Sequence, residues 1–438
     1  MLARLSDKAP QASYHGEENL QEGDQVTIAP DVKSQDVTTE ELLERARALR
    51  PIFSEKIEET ERLTHIPEDL HEQLQEAGFY QLLTPKRYGG HEVDLPTYVK
   101  IWTEIARGDM SGAWNSCLAA NHAMQLASWF PEQTQEEIFR TPGGMKAASV
   151  AAPLSSFARK VDGGWELDGK VSYCSGIPYS THYMGQALTE PAEPGGPPGP
   201  PILFWAPRDT FEILDDWGKL TGLVGSGSNS IVFDKAFVPD HYVLAATHMA
   251  DVDPGEGTIG YRLHGNPMYN GRGLGFFTMT VGGIMVGGAY GALDEFKHIL
   301  MTRDLIRPPF GARATDPDHQ RWYGAALTKI TVAEGALQHS AHMQMEFCRG
   351  VEDGRPYTWR DDQFVGTVAR EAYSQAWQAM QEWIFRYSGS SAATKGAKIE
   401  RTLRDMATGW SHFNTANTDW SLGELGRCEL DQPRTMLF

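Results

Sequence analysis

Three side chains in this sequence combine a reactive type with a suggestive setting. Ser175 ends a β-rich run and precedes the turn Gly176-Ile177-Pro178, where a hydroxyl either bonds a ligand or satisfies turn backbone groups. His122 lies in the helical stretch WNSCLAANHAM (114–124), and His412 follows the late helical run RTLRDMATGW. An imidazole can accept a proton from a substrate or present one near neutral pH. Taken singly, an ordinary half-buried histidine is the better reading of each. Asn414 stands two residues beyond His412, so on a helix the two point apart and Asn414 supports rather than reacts. Arg303 and Arg307 lie one turn apart and on a helix would share a face. A guanidinium fork suits phosphate, and a solvated pair is the alternative.

Other chemistries lack their residues. There is no P-loop, no G-x-S-x-G elbow and no H-E-x-x-H. GRGLGF (271–276) has alternating glycines, but no strand leads into it, so a dinucleotide fold is not indicated. His339 and His342 are three apart on one helix, without the partner motifs a metal site in a bundle needs, so no metal is expected. Cys117, Cys174, Cys348 and Cys428 are far apart with no C-x-x-C pair, which argues against a disulfide framework or structural zinc. That usage suits a reducing compartment, and with no apolar leader visible the expected address is the cytoplasm. Against 39 Lys and Arg stand 58 Asp and Glu, a net charge of −19. No basic footprint is available for nucleic acid or for an anionic membrane.

The elements that would position these residues fall in three blocks. Residues 1–38 are polar and without apolar period and read as a tail or arm. Over 39–144 helical patterns dominate: Leu42, Leu43, Ala46 and Leu49 recur behind a Thr cap, and Pro67 opens a helix that Gly78 ends. Over 145–245 short β-rich runs alternate with Gly, Pro and Asp, with a hairpin turn at Asp162-Gly163-Gly164, so an antiparallel β domain is expected. PAEPGGPPGPP (191–201) is a surface loop within it. A connecting segment, 246–270, leads to a helical bundle over 271–438, helical to about Asn417. Gly273–Leu293 carries no charge and is long enough to span a bilayer. Its seven glycines and the lack of a second span favour a buried helix of a soluble protein.

The α–β–α order resembles the acyl-CoA dehydrogenase fold, an α+β architecture holding flavin between its domains. GFYQLLTPKRYGG (78–90), DGKVSYCSG (168–176), GSGSNSIVFDKAFVPD (225–240), RPPFG (307–311) and RTLRDM (401–406) resemble family segments, in family order. The dehydrogenases often place a catalytic Glu soon after the Arg-Asp pair. Here that stretch is Gly409-Trp410-Ser411-His412-Phe413-Asn414, without a carboxylate. His412-x-Asn414 with Gly426-Arg427, the stretch around His122, and Tyr173-Cys174-Ser175-Gly176 instead resemble the oxygenase components of two-component flavin-dependent monooxygenases. These include 4-hydroxyphenylacetate, steroid-phenol and dibenzothiophene oxygenases.

The resemblance implies hydroxylation of an aromatic or polycyclic compound, using O2 and reduced flavin (FMNH2 or FADH2) from a separate reductase, through a C4a-(hydro)peroxyflavin. It implies Ser175, Ser149 and Trp217 at the flavin, Arg307 at a flavin phosphate or adenylate, often across a subunit interface, and His122 and His412 in proton handling. It further implies a homotetramer. Met268, Tyr269, Phe276 and Phe277 would line an aromatic substrate pocket with Asn414, or simply pack domains together. The alternatives are an acyl-CoA dehydrogenase-type oxidoreductase and a non-catalytic flavin-binding or scaffold protein.

Overall fold

The computed structural model describes residues 37–150, 156–191, 193 and 195–435. All but the last two residues of the expected polar arm, and part of the proline-rich loop, lie outside this set.

The first layer is helical: α1 (Thr39–Glu55), α2 (Ile57–Leu63), α3 (Glu68–Glu76), α4 (Leu95–Gly108), α5 (Met110–Asn121), α6 (Ala123–Trp129) and α7 (Glu132–Phe139). Local signals set several of these ends. Thr38 and Glu41 form a reciprocal capping box at α1, which buries Leu42, Ala46, Leu49 and Phe53 along one stripe. Pro67 caps α3, and Gly78 then takes a left-handed φ of +80°. The sequence suggests one continuous helix over 111–130, but the chain breaks it at His122, between α5 and α6.

Eight strands follow: β1 (Ala147–Val150), β2 (Ser156–Val161), β3 (Gly164–Val171), β4 (His182–Thr189), β5 (Gly199–Pro207), β6 (Glu212–Ile213), β7 (Ile231–Pro239) and β8 (Val243–Leu244). They form one sheet in the order β6-β7-β3-β2-β4-β5-β8, with β1 also paired to β4. Most pairs are antiparallel, as the hairpin spacing suggests. The exception is β4, which runs parallel to both β1 and β2, so the sheet is mixed. The reason is the segment 172–181, which carries the chain from β3 past β2 to its other side, where β4 then runs parallel to β2; no local sequence signal marks that skip. Tyr183, Phe204, Phe211 and Phe233 pack the sheet's own core.

After the short α8 (Ile259–His264), the bundle comprises α9 (Leu274–Thr302), α10 (Pro317–Glu352), α11 (Trp359–Gln378), α12 (Arg386–Ser388), α13 (Lys398–Trp410), α14 (Phe413–Ala416) and α15 (Thr418–Glu429). A π-helical stretch, Ala379–Phe385, joins α11 to α12 without a break. Helix continues past Asn417 as α15, whose packing against α11 does not show in its own weakly amphipathic sequence.

The apolar stretch 273–293 is the front of α9. It is the one helix among the described residues long and apolar enough to cross a membrane, and 89% of its apolar window is buried inside the protein. Its glycines are there for contact. A Cβ on Gly287 would meet the Thr103 carbonyl oxygen at 2.4 Å, and one on Gly291 the Arg107 carbonyl oxygen at 2.5 Å. Helix α4 therefore lies almost backbone to backbone on α9, and Thr103 Oγ1 donates to the Gly283 carbonyl at 3.2 Å.

Candidate functional site

A cavity of about 460 Å³ opens where the three blocks meet, within the roughly 300–1,000 Å³ range of small-molecule sites. Helix α5 contributes Trp114 and Leu118 and its C-cap His122, which recur every four residues and so share one face. The sheet and its loops contribute Ser149, Ser175, Trp217 and Ser228, among others. Helix α9 contributes Leu274, Phe277 and Val281, and the end of α13 with α14 contributes His412 and Asn414.

Ser175 is held by its turn. Tyr173 and Gly176 both have left-handed φ, at +67° and +80°. The Gly176 N–H donates to the carbonyls of Ser226 and Gly227 at 3.1 Å each, and a Cβ there would strike the Asn115 carbonyl oxygen at 2.5 Å. The Ser175 hydroxyl then sits in a row. Trp114 Nε1 donates to Ser175 Oγ at 3.1 Å, Ser175 Oγ lies 2.7 Å from Ser228 Oγ, and Ser228 Oγ lies 2.7 Å from Ser226 Oγ. An indole N–H only donates, so one lone pair of Ser175 is taken. If the row donates from Ser226 through Ser228 into Ser175, the Ser175 O–H is left for a ligand.

The two histidines are held in opposite tautomers by their backbone partners. His122 Nδ1 lies 2.7 Å from the Ala147 carbonyl, which can only accept, so Nδ1 carries the proton and Nε2 a lone pair. His412 caps α14, where its Nδ1 accepts from the Asn414 N–H at 3.3 Å, so its proton sits on Nε2. Burial pushes both imidazoles down to about 4, so each is neutral at physiological pH. The Trp114 ring joins the two ends of the site, meeting the His412 ring edge-on at 5.1 Å while its N–H holds Ser175. Phe277 packs against His122 at 5.7 Å.

Trp114, Ser226 and Ser228 were not singled out by sequence reasoning. The four-residue spacing Trp114, Leu118, His122 is the signal that points to Trp114. For the two serines no local signal exists.

Of the residues expected at the site, His122, Ser149, Ser175, Trp217, Phe277, His412 and Asn414 line the one cavity. Met268, Tyr269 and Phe276 do not. Tyr269 is fully buried with its hydroxyl donating to the Leu83 carbonyl at 3.2 Å, Met268 is buried beside it, and Phe276 packs against Tyr98. Neighbouring residues on a helix project about 100° apart. Phe277 therefore joins Leu274 and Val281 on the cavity face of α9 while Phe276 faces α4. Arg307 is exposed on the arm between α9 and α10, outside its own subunit's cavity. Arg303 and Arg307 share no helix face, because α9 ends at Thr302. Pro308-Pro309 cannot continue a helix, and Leu305 N–H instead closes a loop onto the Gly311 carbonyl.

The donor set fits a flavin ring. Trp217 lines the wall, and its Nε1–H is buried with no partner in the protein. With the hydroxyls of Ser149 and Ser175 it offers donors to a flat heterocycle whose edge carries nitrogen and oxygen acceptors. No carboxylate stands among the described lining residues.

Comparison with known proteins agrees with this geometry. Residues 39–139 match the acyl-CoA dehydrogenase N-terminal domain model and residues 279–417 the C-terminal domain model. The chain is 28% identical over 376 residues to the flavin-dependent monooxygenase oxygenase subunit HsaA of Rhodococcus jostii, covering 84% of this chain and 93% of that one. It is 29% identical over 403 residues to a pigment production hydroxylase of a Rhodococcus species, covering 91% and 98%. The crystal structure of 3-HSA hydroxylase from Rhodococcus sp. RHA1 superposes with a TM-score of 0.80 at 26% identity, covering 90% of this chain and 98% of that one. With α–β–α architecture, both domain models and relatives matched over nearly their full length, this chain belongs to the acyl-CoA dehydrogenase family, and it is similar to flavin-dependent monooxygenase oxygenase components.

Proposed function

We propose that the protein is the oxygenase component of a two-component flavin-dependent monooxygenase that hydroxylates an aromatic or polycyclic small molecule. One oxygen atom of O2 goes to the substrate and the other leaves as water. The reduced flavin, supplied by a separate reductase, brings the two electrons and activates O2. The observation that carries this reading is the cavity itself. It sets a held hydroxyl and two neutral imidazoles around an apolar space, and none of the described lining residues is the carboxylate base that removing a proton next to a thioester requires.

Roles follow from the geometry. Ser175 presents its hydroxyl to the flavin edge, with Trp114 and Ser228 holding it. His122 offers the Nε2 lone pair that can take a phenol proton. His412 offers an Nε2–H that can donate to oxygen as it is transferred. Asn414 fixes the His412 ring through its backbone N–H, and its own carbonyl accepts from Arg370 Nε at 2.6 Å. Ser149 and Trp217 complete the flavin wall.

The same reading includes a homotetramer, in which Arg307 reaches the flavin phosphate of a neighbouring subunit. Its support is the arm after α9, which holds Arg307 beside two strongly exposed apolar side chains, Ile306 (89%) and Phe310 (74%). Four free cysteines, three of them buried, support a cytoplasmic location.

The test is direct. The protein is mixed with a generic flavin reductase, a nicotinamide reductant, O2 and a panel of phenols, and hydroxylated product is counted against released H2O2. Product formed in step with reductant consumed is expected. Bleaching of bound oxidised flavin by an acyl-CoA, without hydroxylation, would overturn the reading.

A further inference from the structure

We infer that the substrate of this cavity is an electrically neutral ring compound, bearing hydroxyl-type hydrogen-bonding groups and no carboxylate, sulfonate, phosphate or ammonium. This rests on the monooxygenase reading above and narrows it to a substrate class.

Among the described residues, the cavity wall contains no Asp, Glu, Lys or Arg. Its apolar part includes Leu118, Met249, Leu274, Phe277 and Val281, and its polar part is made of hydroxyls, one amide, two indole N–H groups and two imidazoles. The imidazoles do not become cations for an anion to pair with, since burial keeps both neutral above about pH 4. Arg370 of α11 donates its Nε–H to the carbonyl of the lining residue Asn414 but is not itself a lining residue.

An anion entering such a space gives up its water for no opposite charge, and a desolvated, unpaired carboxylate is strongly disfavoured. A hydroxyl faces no such penalty. It can donate to the His122 lone pair or accept from the His412 N–H, and its ring is covered by apolar side chains. The protein as a whole reinforces the bias, because a net charge of −19 repels anions during approach.

The experiment uses the full-length protein under anaerobic conditions with reduced flavin. Binding of reduced flavin is read first, from protein fluorescence. Dissociation constants are then measured for matched pairs of phenols with one to four rings, each pair an aryl carboxylic acid and its primary amide, which share size and shape. The amides are expected to bind at least about 100-fold more tightly than the acids at pH 7, the order of discrimination set by an unpaired buried charge. An acid that binds as well as its amide, or a panel in which no amide outcompetes its acid, overturns the inference while leaving the flavin reading in place. Absence of reduced-flavin binding overturns both.

Discussion

The opposite tautomers of His122 and His412 give two neutral imidazoles different work, and mutation separates them. His122→Ala removes the base, so product formation should slow on the order of 10²-fold at pH 7. It should recover as pH rises toward about 10, where a phenol ionises unaided. His412→Ala should slow product formation by a similar factor with no recovery at high pH, since a donor and not a base is lost. Rate–pH profiles of the two variants that superimpose would refute the assignment. Ser175→Ala should raise H2O2 release per reductant consumed with little change in substrate affinity. Trp114→Phe should do the same to a smaller degree, because it frees the Ser175 hydroxyl to turn away. The buried state of His122 also leaves a stability signature. Its folded value of about 4 lies below the ordinary 6.5, so the unfolded chain takes up the proton first as pH falls. That contribution is present above pH 6.5, declines between 6.5 and 4, and reaches at most about 3 kcal/mol. Ser175, His122 and His412, which meet at the one cavity, were legible as candidates because they sit in short stretches of recognisable type and order. Trp114 was not, because its role rests on contacts 61 and 298 residues away along the chain.

Helix α13 shows what the motif RTLRDM does. Arg401 pairs with Glu61 and Glu58 of α2, and Arg404 pairs with Glu61 and donates to the Thr221 carbonyl at 2.9 Å. Asp405 accepts from the N–H of Leu223 at 2.6 Å, holding a cavity residue in left-handed backbone. One turn of helix thus ties the bundle to the first layer and to the sheet's loop. Burial and the nearby Asp109 carboxyl raise Asp405 to about 8, above the carboxyl's unfolded value near 4. The stability this brings is full below about pH 4 and is lost as pH rises through 8. Asp405→Asn keeps the acceptor but cannot ionise, so its melting temperature should fall less than wild type between pH 6 and 9. A parallel fall in both proteins would contradict this. The glycine face of α9 makes a second prediction. Gly287→Val should destabilise by about 1–3 kcal/mol through overpacking against α4, read by denaturant titration. Helix positions were legible from period and caps. The parallel setting of β4 and the break at His122 were not, since both depend on what distant segments leave room for.

At the scale of the molecule, the order α–β–α was visible in composition alone, because β-rich runs near residue 145 and long amphipathic stretches after 271 mark the changes of layer. The arm after α9 was legible only in part: its proline pair marks the end of the helix, but nothing local in the sequence shows that Ile306 and Phe310 stand exposed. If the protein is a tetramer that this arm joins, Ile306→Asp with Phe310→Asp should shift it to smaller species in sedimentation, with reduced-flavin affinity falling alongside. A sedimentation profile identical to wild type would rule the arm out as a subunit contact. The cavity is walled by residues from 114 to 414, drawn from all three layers. Such distant pairings close late, after local structure has formed. During refolding, helical ellipticity should therefore return well before the protein can capture flavin, and the interval between the two signals is the time the layers take to find one another.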